Sequence, residues 1–249
     1  MLKKLFGTII VNKQKDTLSM KKNLLVELCN EFCKKKNSRI AKEQQRYMKS
    51  KMPYYGIQAP QLKKIYPPLF NKYAPISNKE YRNTILHIFN NAKHREEWYA
   101  GLAFANKYKE FIIEENIDIY IEIIRLTQWW DTIDNIAPKL IGTALKDSKN
   151  LGKFLIEWIK DKNLWVRRTA LIAQLKYKKR TDFTLLSNLI KQTCHEKEFF
   201  IRKAIGWSLR EYSYSSPKDV SDFINQNKDN LSHLSITEGL KAIKRINAF

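Results

Sequence analysis

KEFFIRKAIGWSLREY, residues 197–212, carries the reading of the fold. Phe199, Phe200, Ala204, Trp207 and Leu209 alternate with Lys203 and Arg210 at helical spacing, the pattern of a half-buried helix. Upstream, NLWVRRTALIAQLKYK (163–178) and QWWDTIDNIAP (128–138) fall into register with it. Trp130, Trp165 and Phe200 stand 35 residues apart, and Arg95 continues the series. Small or apolar residues recur seven places past each anchor, at Leu102, Ala137, Ile172 and Trp207. The KYK of 107–109 returns at 176–178, two periods on. Such a period, with two helices per unit, indicates a TPR, HEAT or armadillo-like solenoid, and the lack of a TPR signature favours HEAT-like. We therefore expect an all-α, HEAT-like helical repeat solenoid with a basic concave face, one domain over residues 20–249. Helix breaks are expected at Pro53 to Gly56, Pro67-Pro68, Pro75 to Asn78, Asn150 to Gly152, Asp161 to Asn163 and Ser215 to Pro217.

Composition narrows the function. Glycine and proline number seven each, too few for a many-stranded β protein. No GxxxxGK[ST] or GxGxxG occurs, so a nucleotide cofactor bound by a glycine-rich cradle is not expected. Cys29, Cys33 and Cys194 are too scattered for a disulfide framework, and no ligand set completes a zinc site. No metal or other cofactor is expected. No run of 18 apolar residues exists, and the protein reads as cytoplasmic. Residues 1–19 resemble a short signal sequence without its cleavage site and are expected to form a tail, with Met20 a second candidate start. The net charge is +21, and most of the excess lies in residues 20–249. A body this basic attracts polyanions, nucleic acid first among them, with a lysine-rich proteome as the lesser, blander alternative.

One repeat slot departs from its sisters. Four residues past the anchors stand Tyr99, Asp134, Thr169 and Ala204, a single carboxylate among neutral side chains. Trp130 and Asp134, four apart, share a helical face. Asp131 falls in the first turn, where it suits the helix dipole, and Pro138 should kink or end the helix nearby. Asp134 could equally cap a neighbouring helix or pair with an arginine. Trp98, Trp129, Trp158 and Trp165 read as packing. Trp207 is flanked by Lys203 and Arg210 and suits either nucleic acid or a core with snorkelling neighbours.

Three blocks, WWDTIDNIAP (129–138), NLWVRRTALIAQLKYKKRTD (163–182) and KEFFIRKAIGWSLREY (197–212), resemble those of the bacterial AlkD family of DNA alkylation repair glycosylases. The stretch RYMKSKMPYYGIQAPQ (46–61) is similar to that family's N-terminal block, and the likeness runs from about residue 22 onward. The resemblance implies hydrolysis of the N-glycosidic bond of cationic N3- and N7-alkylpurines in double-stranded DNA. It implies Asp134 as the catalytic carboxylate and Trp130 and Trp207 as active-site tryptophans. Arg168 matches a backbone-contacting arginine, and Tyr47 and Gln58 match residues near DNA. Ala59 replaces the usual threonine, which weakens the N-terminal part of the match. Lys203 and Arg210 are expected to add DNA contacts. A monomer is expected. A non-catalytic DNA-binding scaffold and a protein–protein adaptor are the alternatives.

Overall fold

The computed structural model describes residues 23–246, so the tail expected over 1–19 lies outside the described residues. Among the described residues the regular structure is entirely helical, as the periodicity predicts. Contacts group it into two units, up to Tyr108 and from Lys109 onward.

The N-terminal unit holds α1 (Leu24–Lys34), α2 (Ser38–Met48), α3 (Ala59–Lys72), α4 (Asn78–Asn91) and α5 (Arg95–Lys107). Asn23, Asn37 and Ser77 cap their helices by accepting N–H bonds from the first turn at 3.0–3.2 Å. Leu28, Phe32, Ile57, Tyr81, Ile85, Ile88 and Phe104 form its core. The loop after α2 is fastened to α5 by two buried carboxylates, Glu97, which accepts the Tyr55 hydroxyl at 2.7 Å, and Glu96. Glu96 accepts N–H bonds from Tyr55 (3.0 Å), Gly56 (2.8 Å) and Ile57 (3.1 Å), so a charge removed from water is satisfied by backbone. Gly56 has φ +86°, and a Cβ there would stand 2.0 Å from the Asn37 carbonyl oxygen, so no other residue fits.

The break expected at Pro67-Pro68 does not occur: α3 runs through both prolines. Their rings lie on the exposed side, and the carbonyls they leave without partners belong to Lys63 and Lys64, also exposed, so water can serve them. On the other side, Leu62, Ile65 and Phe70 are buried and Tyr66 stacks on Phe70 at 5.1 Å, holding the helix in place.

The C-terminal unit contains α6 (Ile117–Thr127), α7 (Trp130–Ile136), α8 (Gly142–Leu145), α9 (Leu151–Trp158), α10 (Leu164–Ile172), α11 (Phe183–Thr193), α12 (Phe199–Ser213), α13 (Pro217–Gln226), α14 (His233–Gly239) and α15 (Lys241–Ile246). Helices α7, α10, α12 and α14 form a row in which each touches the next, and α6, α9, α11 and α13 lie against that row. This is the repeat seen in the sequence. Polar links tie one repeat to another across sequence separations of 28 to 36 residues: Arg125–Asp161, Arg167–Glu196, Arg168–Asp134, Arg210–Glu238 and the Tyr177 hydroxyl to the Gly142 carbonyl. The row is tight because small residues sit where helices cross. A Cβ on Gly142 would lie 2.2 Å from the Ala173 carbonyl oxygen, and one on Gly206 would lie 2.5 Å from the Glu238 Cβ.

Glu238 locks α14 to α12. It is almost fully buried and takes Lys203 at 2.7 Å, Arg210 at 2.8 Å and Lys241. Burial pushes its carboxyl up, but hydrogen bonds from Lys203 and Lys241 outweigh this and hold it at about 2, against an ordinary 4.5. A carboxyl depressed by folding contributes stability above its unfolded value and loses it as pH falls toward the folded one. Replacing Glu238 by Gln is expected to cost about 2 kcal/mol at neutral pH, moderated because the cations are partly exposed. Thermal melts should show the gap between wild type and variant narrowing as pH drops from 4.5 toward 2. A gap independent of pH contradicts the ionic account.

Candidate functional site

The site grows from the start of α7. Gln128, in the left-handed region at φ 41°, ends α6 by donating its N–H to the Ile124 carbonyl at 3.1 Å. The chain then turns directly into α7. Thr132, fully buried, braces the turn: its hydroxyl oxygen lies 2.8 Å from the Trp129 carbonyl oxygen and 2.9 Å from the Thr127 hydroxyl, within hydrogen-bonding reach of both. Asp131 accepts the Thr132 N–H at 2.9 Å, satisfying a first-turn donor as its position predicts.

Asp134 sits one turn further on. In sister helices the same slot is core: Thr169 and Ala204 are both 0% exposed. The repeat therefore carries a carboxylate into a place shaped for packing, and its side chain keeps 21% exposure. Pro138 lies four residues on and has no N–H for the Asp134 carbonyl. The helix neither ends nor breaks there. It widens into a π-helical turn over Ala137–Ile141 before resuming as α8. Such bulges absorb a missing hydrogen bond and recur at functional sites.

Arg168, on α10, is the partner of Asp134. Its Nε donates to one carboxylate oxygen at 2.8 Å and its Nη2 to the other at 2.9 Å, a two-pronged pair. Its Nη1 donates to the Phe200 carbonyl at 2.5 Å. Arg168 is 2% exposed, and its guanidinium carbon lies 6.0 Å from the ring centroids of both Phe200 and Trp207. Of the two plain fates open to Asp134, capping or pairing with an arginine, the structure shows the pairing. Burial raises the Asp134 carboxyl above its ordinary 3.8, while Arg168 pulls it down and Asp131 adds a small upward push.

Trp207 is half-buried on α12, with Arg168 over its ring. Trp130 is half-buried at the first position of α7, on the helix that carries Asp134. The aromatic that stacks with the repeat anchors is its neighbour. Trp129 lies 6.0 Å from Trp165 and 6.0 Å from Phe200, which are 4.9 Å from each other. Thus the packing ladder is Trp129, Trp165 and Phe200, and Trp130 is released from it. Trp158 and Trp165 are buried, as expected of packing residues, and Trp98 donates its Nε1–H to the Phe89 carbonyl at 3.3 Å.

The cations are more committed than expected. Lys203 and Arg210 pair with Glu238, while Arg167 and Arg202, 35 residues apart, converge on Glu196 through its carboxylate and its carbonyl respectively. Tyr47 and Gln58 belong to the N-terminal unit. Tyr47 is 78% exposed, and Gln58 precedes α3 with its N–H donated to the Gln61 side chain at 3.2 Å. Sequence reasoning missed Phe200 and Glu238 as members of the site's surroundings. The signal for Glu238 was present: it is the lone acid after Asp229, three residues before Lys241.

The sequence pattern of the DNA alkylation repair enzyme family matches residues 28–243. The chain belongs to this family. Its members act in the repair of alkylated DNA, and this chain shares that role. A solved structure of a predicted DNA alkylation repair enzyme from Enterococcus faecalis superposes on it with a TM-score of 0.75 and 29% identity. That likeness covers 83% of this chain and 95% of the other. No curated protein matches the chain. No described helix is long and apolar enough to cross a membrane.

A carboxyl-carbon NMR titration should place the Asp134 midpoint above 3.8. In Arg168→Gln it should rise further, because the guanidinium is what pulls it down. A midpoint that falls in the variant contradicts this electrostatic balance.

Proposed function

We propose that this family member is a DNA glycosylase that hydrolyses the N-glycosidic bond of cationic N3- and N7-alkylated purines in duplex DNA. The observation that carries the proposal is the Asp134 carboxylate, partly desolvated and held in one orientation by Arg168 beside the Trp207 ring.

The substrate dictates what the protein must supply. An alkylated purine such as 3-methyladenine or 7-methylguanine already carries positive charge, so it departs as a neutral base without a strong acid. The C1′–N bond breaks, its electron pair goes to the purine nitrogen, and the sugar becomes an oxocarbenium-like cation. A fixed negative charge beside C1′ stabilises that cation in a low-dielectric site. Each Asp134 oxygen accepts one N–H from Arg168, and a carboxylate has about four acceptor positions in all. The remaining positions can face the sugar and orient a water, which adds to C1′ and gives up its proton to the carboxylate or solvent. The reaction needs water alone as co-reactant.

Trp130 and Trp207 would offer their ring faces to the sugar cation, worth about 1–2 kcal/mol per desolvated ring. Trp207 already holds a cation near its ring in the form of Arg168. Arg168 has a second task in this reading. Besides fixing Asp134 it would meet a backbone phosphate with its remaining N–H groups, which at 2% exposure requires that DNA binding uncover the side chain. Tyr47 and Gln58 would contribute backbone contacts from the N-terminal unit, consistent with the exposure of both side chains. We take the protein to act as a cytoplasmic monomer.

A scaffold that binds DNA without chemistry would keep the Asp134–Arg168 pair as a structural link only. Release of 7-methylguanine and 3-methyladenine from methylated DNA separates the two readings. Asp134→Asn is expected to lower the single-turnover rate by about 100-fold or more, and Trp207→Ala by about tenfold. Circular dichroism should confirm that both variants are folded, since Asp134→Asn leaves the Arg168 charge without its counter-ion. A wild-type protein that binds duplex DNA but releases neither base establishes the scaffold instead.

A further inference from the structure

We propose that Lys203, Arg210 and Lys241, gathered around the buried carboxylate of Glu238, form a receiving site for one DNA backbone phosphate beside Trp207, with Glu238 as its positioning residue. This rests on the reading that the C-terminal unit engages DNA, and extends it to two residues that the sequence left unassigned, Glu238 and Lys241.

The charge balance comes first. One carboxylate is neutralised by one cation, yet three converge on Glu238, leaving a local excess of two positive charges. The geometry then shows which way that excess points. The Glu238 side chain is 5% exposed, whereas Lys203, Arg210 and Lys241 keep 37%, 26% and 45%. The carboxylate lies underneath and the cations lie above it. An ammonium has three donors and a guanidinium five, so each cation can hold Glu238 and still present N–H groups outward. Tethering also lowers the ordering cost of binding. Free lysines must surrender rotamer freedom to meet a phosphate, and these have surrendered much of it already.

The cluster is built into the helix crossing, not scattered on the surface. Gly206 allows α14 to approach until its absent Cβ would lie 2.5 Å from that of Glu238. Ser235 fixes the same crossing by donating its hydroxyl to the Arg202 carbonyl at 2.9 Å. Lys203 and Arg210 stand four before and three after Trp207 on α12, so all three share one helical face. The array therefore adjoins the ring that faces Arg168 and, through it, Asp134. A phosphate seated there would hold the duplex backbone at a set distance from the proposed reacting sugar.

The test uses the full chain and a fluorescein-labelled duplex carrying one non-hydrolysable abasic-site analogue, with affinity measured from about 50 to 200 mM KCl. Lys241→Gln takes one of three cations from that phosphate and should lower the slope of log affinity against log salt by part of the roughly 0.9 that a whole phosphate contact carries. Glu238→Gln makes the protein one charge more positive, so diffuse attraction predicts tighter binding. The ordered array predicts the reverse, a several-fold loss, because the cations are no longer held together. An unchanged slope in Lys241→Gln, or equal or tighter binding by folded Glu238→Gln, overturns the proposal. Should Glu238→Gln fail to fold, the Lys241→Gln slope decides alone. Base release is not read in this experiment, so failure of the phosphate site and failure of the glycosylase reading remain distinguishable.

Discussion

The two-pronged bond between Arg168 and Asp134 joins α10 to α7 and sets the chemistry of the candidate site at once. Neither partner would be stable in its place without the other. Arg168 is almost fully enclosed, and an unpaired guanidinium there would keep its whole desolvation penalty. Asp134 occupies a slot that the neighbouring repeats fill with Thr169 and Ala204, both core. Burial alone would drive its carboxyl toward neutrality, and the guanidinium opposes that drift. The third arm of Arg168, to the Phe200 carbonyl, extends the link to α12 and brings Trp207 alongside. Three successive members of the helix row thus meet at one cation.

The surrounding fold shows what this arrangement requires. The helices of the row must approach closely, which the small residues Gly142 and Gly206 permit. The aromatic ladder of Trp129, Trp165 and Phe200 supplies apolar mass around the ion pair, and Trp130 is not one of its rungs. The π-helical turn at Pro138 keeps α7 and α8 nearly continuous where a plain helix would have lost a bond. Glu238, on the last helix of the row, repeats the logic of Asp134: a carboxylate placed between helices and met by cations from a neighbouring one. The difference lies in exposure. Asp134 meets one buried guanidinium, whereas Glu238 meets three half-exposed cations, so the first suits chemistry and the second suits backbone contact.

Helical class, repeat period and the oddity of Asp134 were all legible in the sequence, because each depends on spacing along one chain. Burial of one face imposes a helical periodicity, and stacking of like units imposes a period near 35 residues. A carboxylate at a position that is core elsewhere stands out by comparison with Thr169 and Ala204 without any coordinates. The family likeness added the chemistry, and the match over residues 28–243 upholds the repair role. Spacing failed where neighbours in the chain compete for one role. Trp129 and Trp130 are equally good anchors on paper, and only the turn after Gln128 decides which of them packs. Pro67-Pro68 reads as a break because local rules cannot know that the rings face water while Phe70 is buried opposite.

What the sequence determined alone was therefore the repeat, its helical content, its positive charge and the singular carboxylate. What only the tertiary structure decided was partnership. That Asp134 meets Arg168, that Lys203 and Arg210 share Glu238 with Lys241, and that Arg167 answers Glu196 all involve residues from different helices. Charge pairing acts over a few ångströms of space and is indifferent to distance along the chain. A count of basic residues predicts attraction to a polyanion, but the packing of helices settles which cations are already engaged and which still face outward.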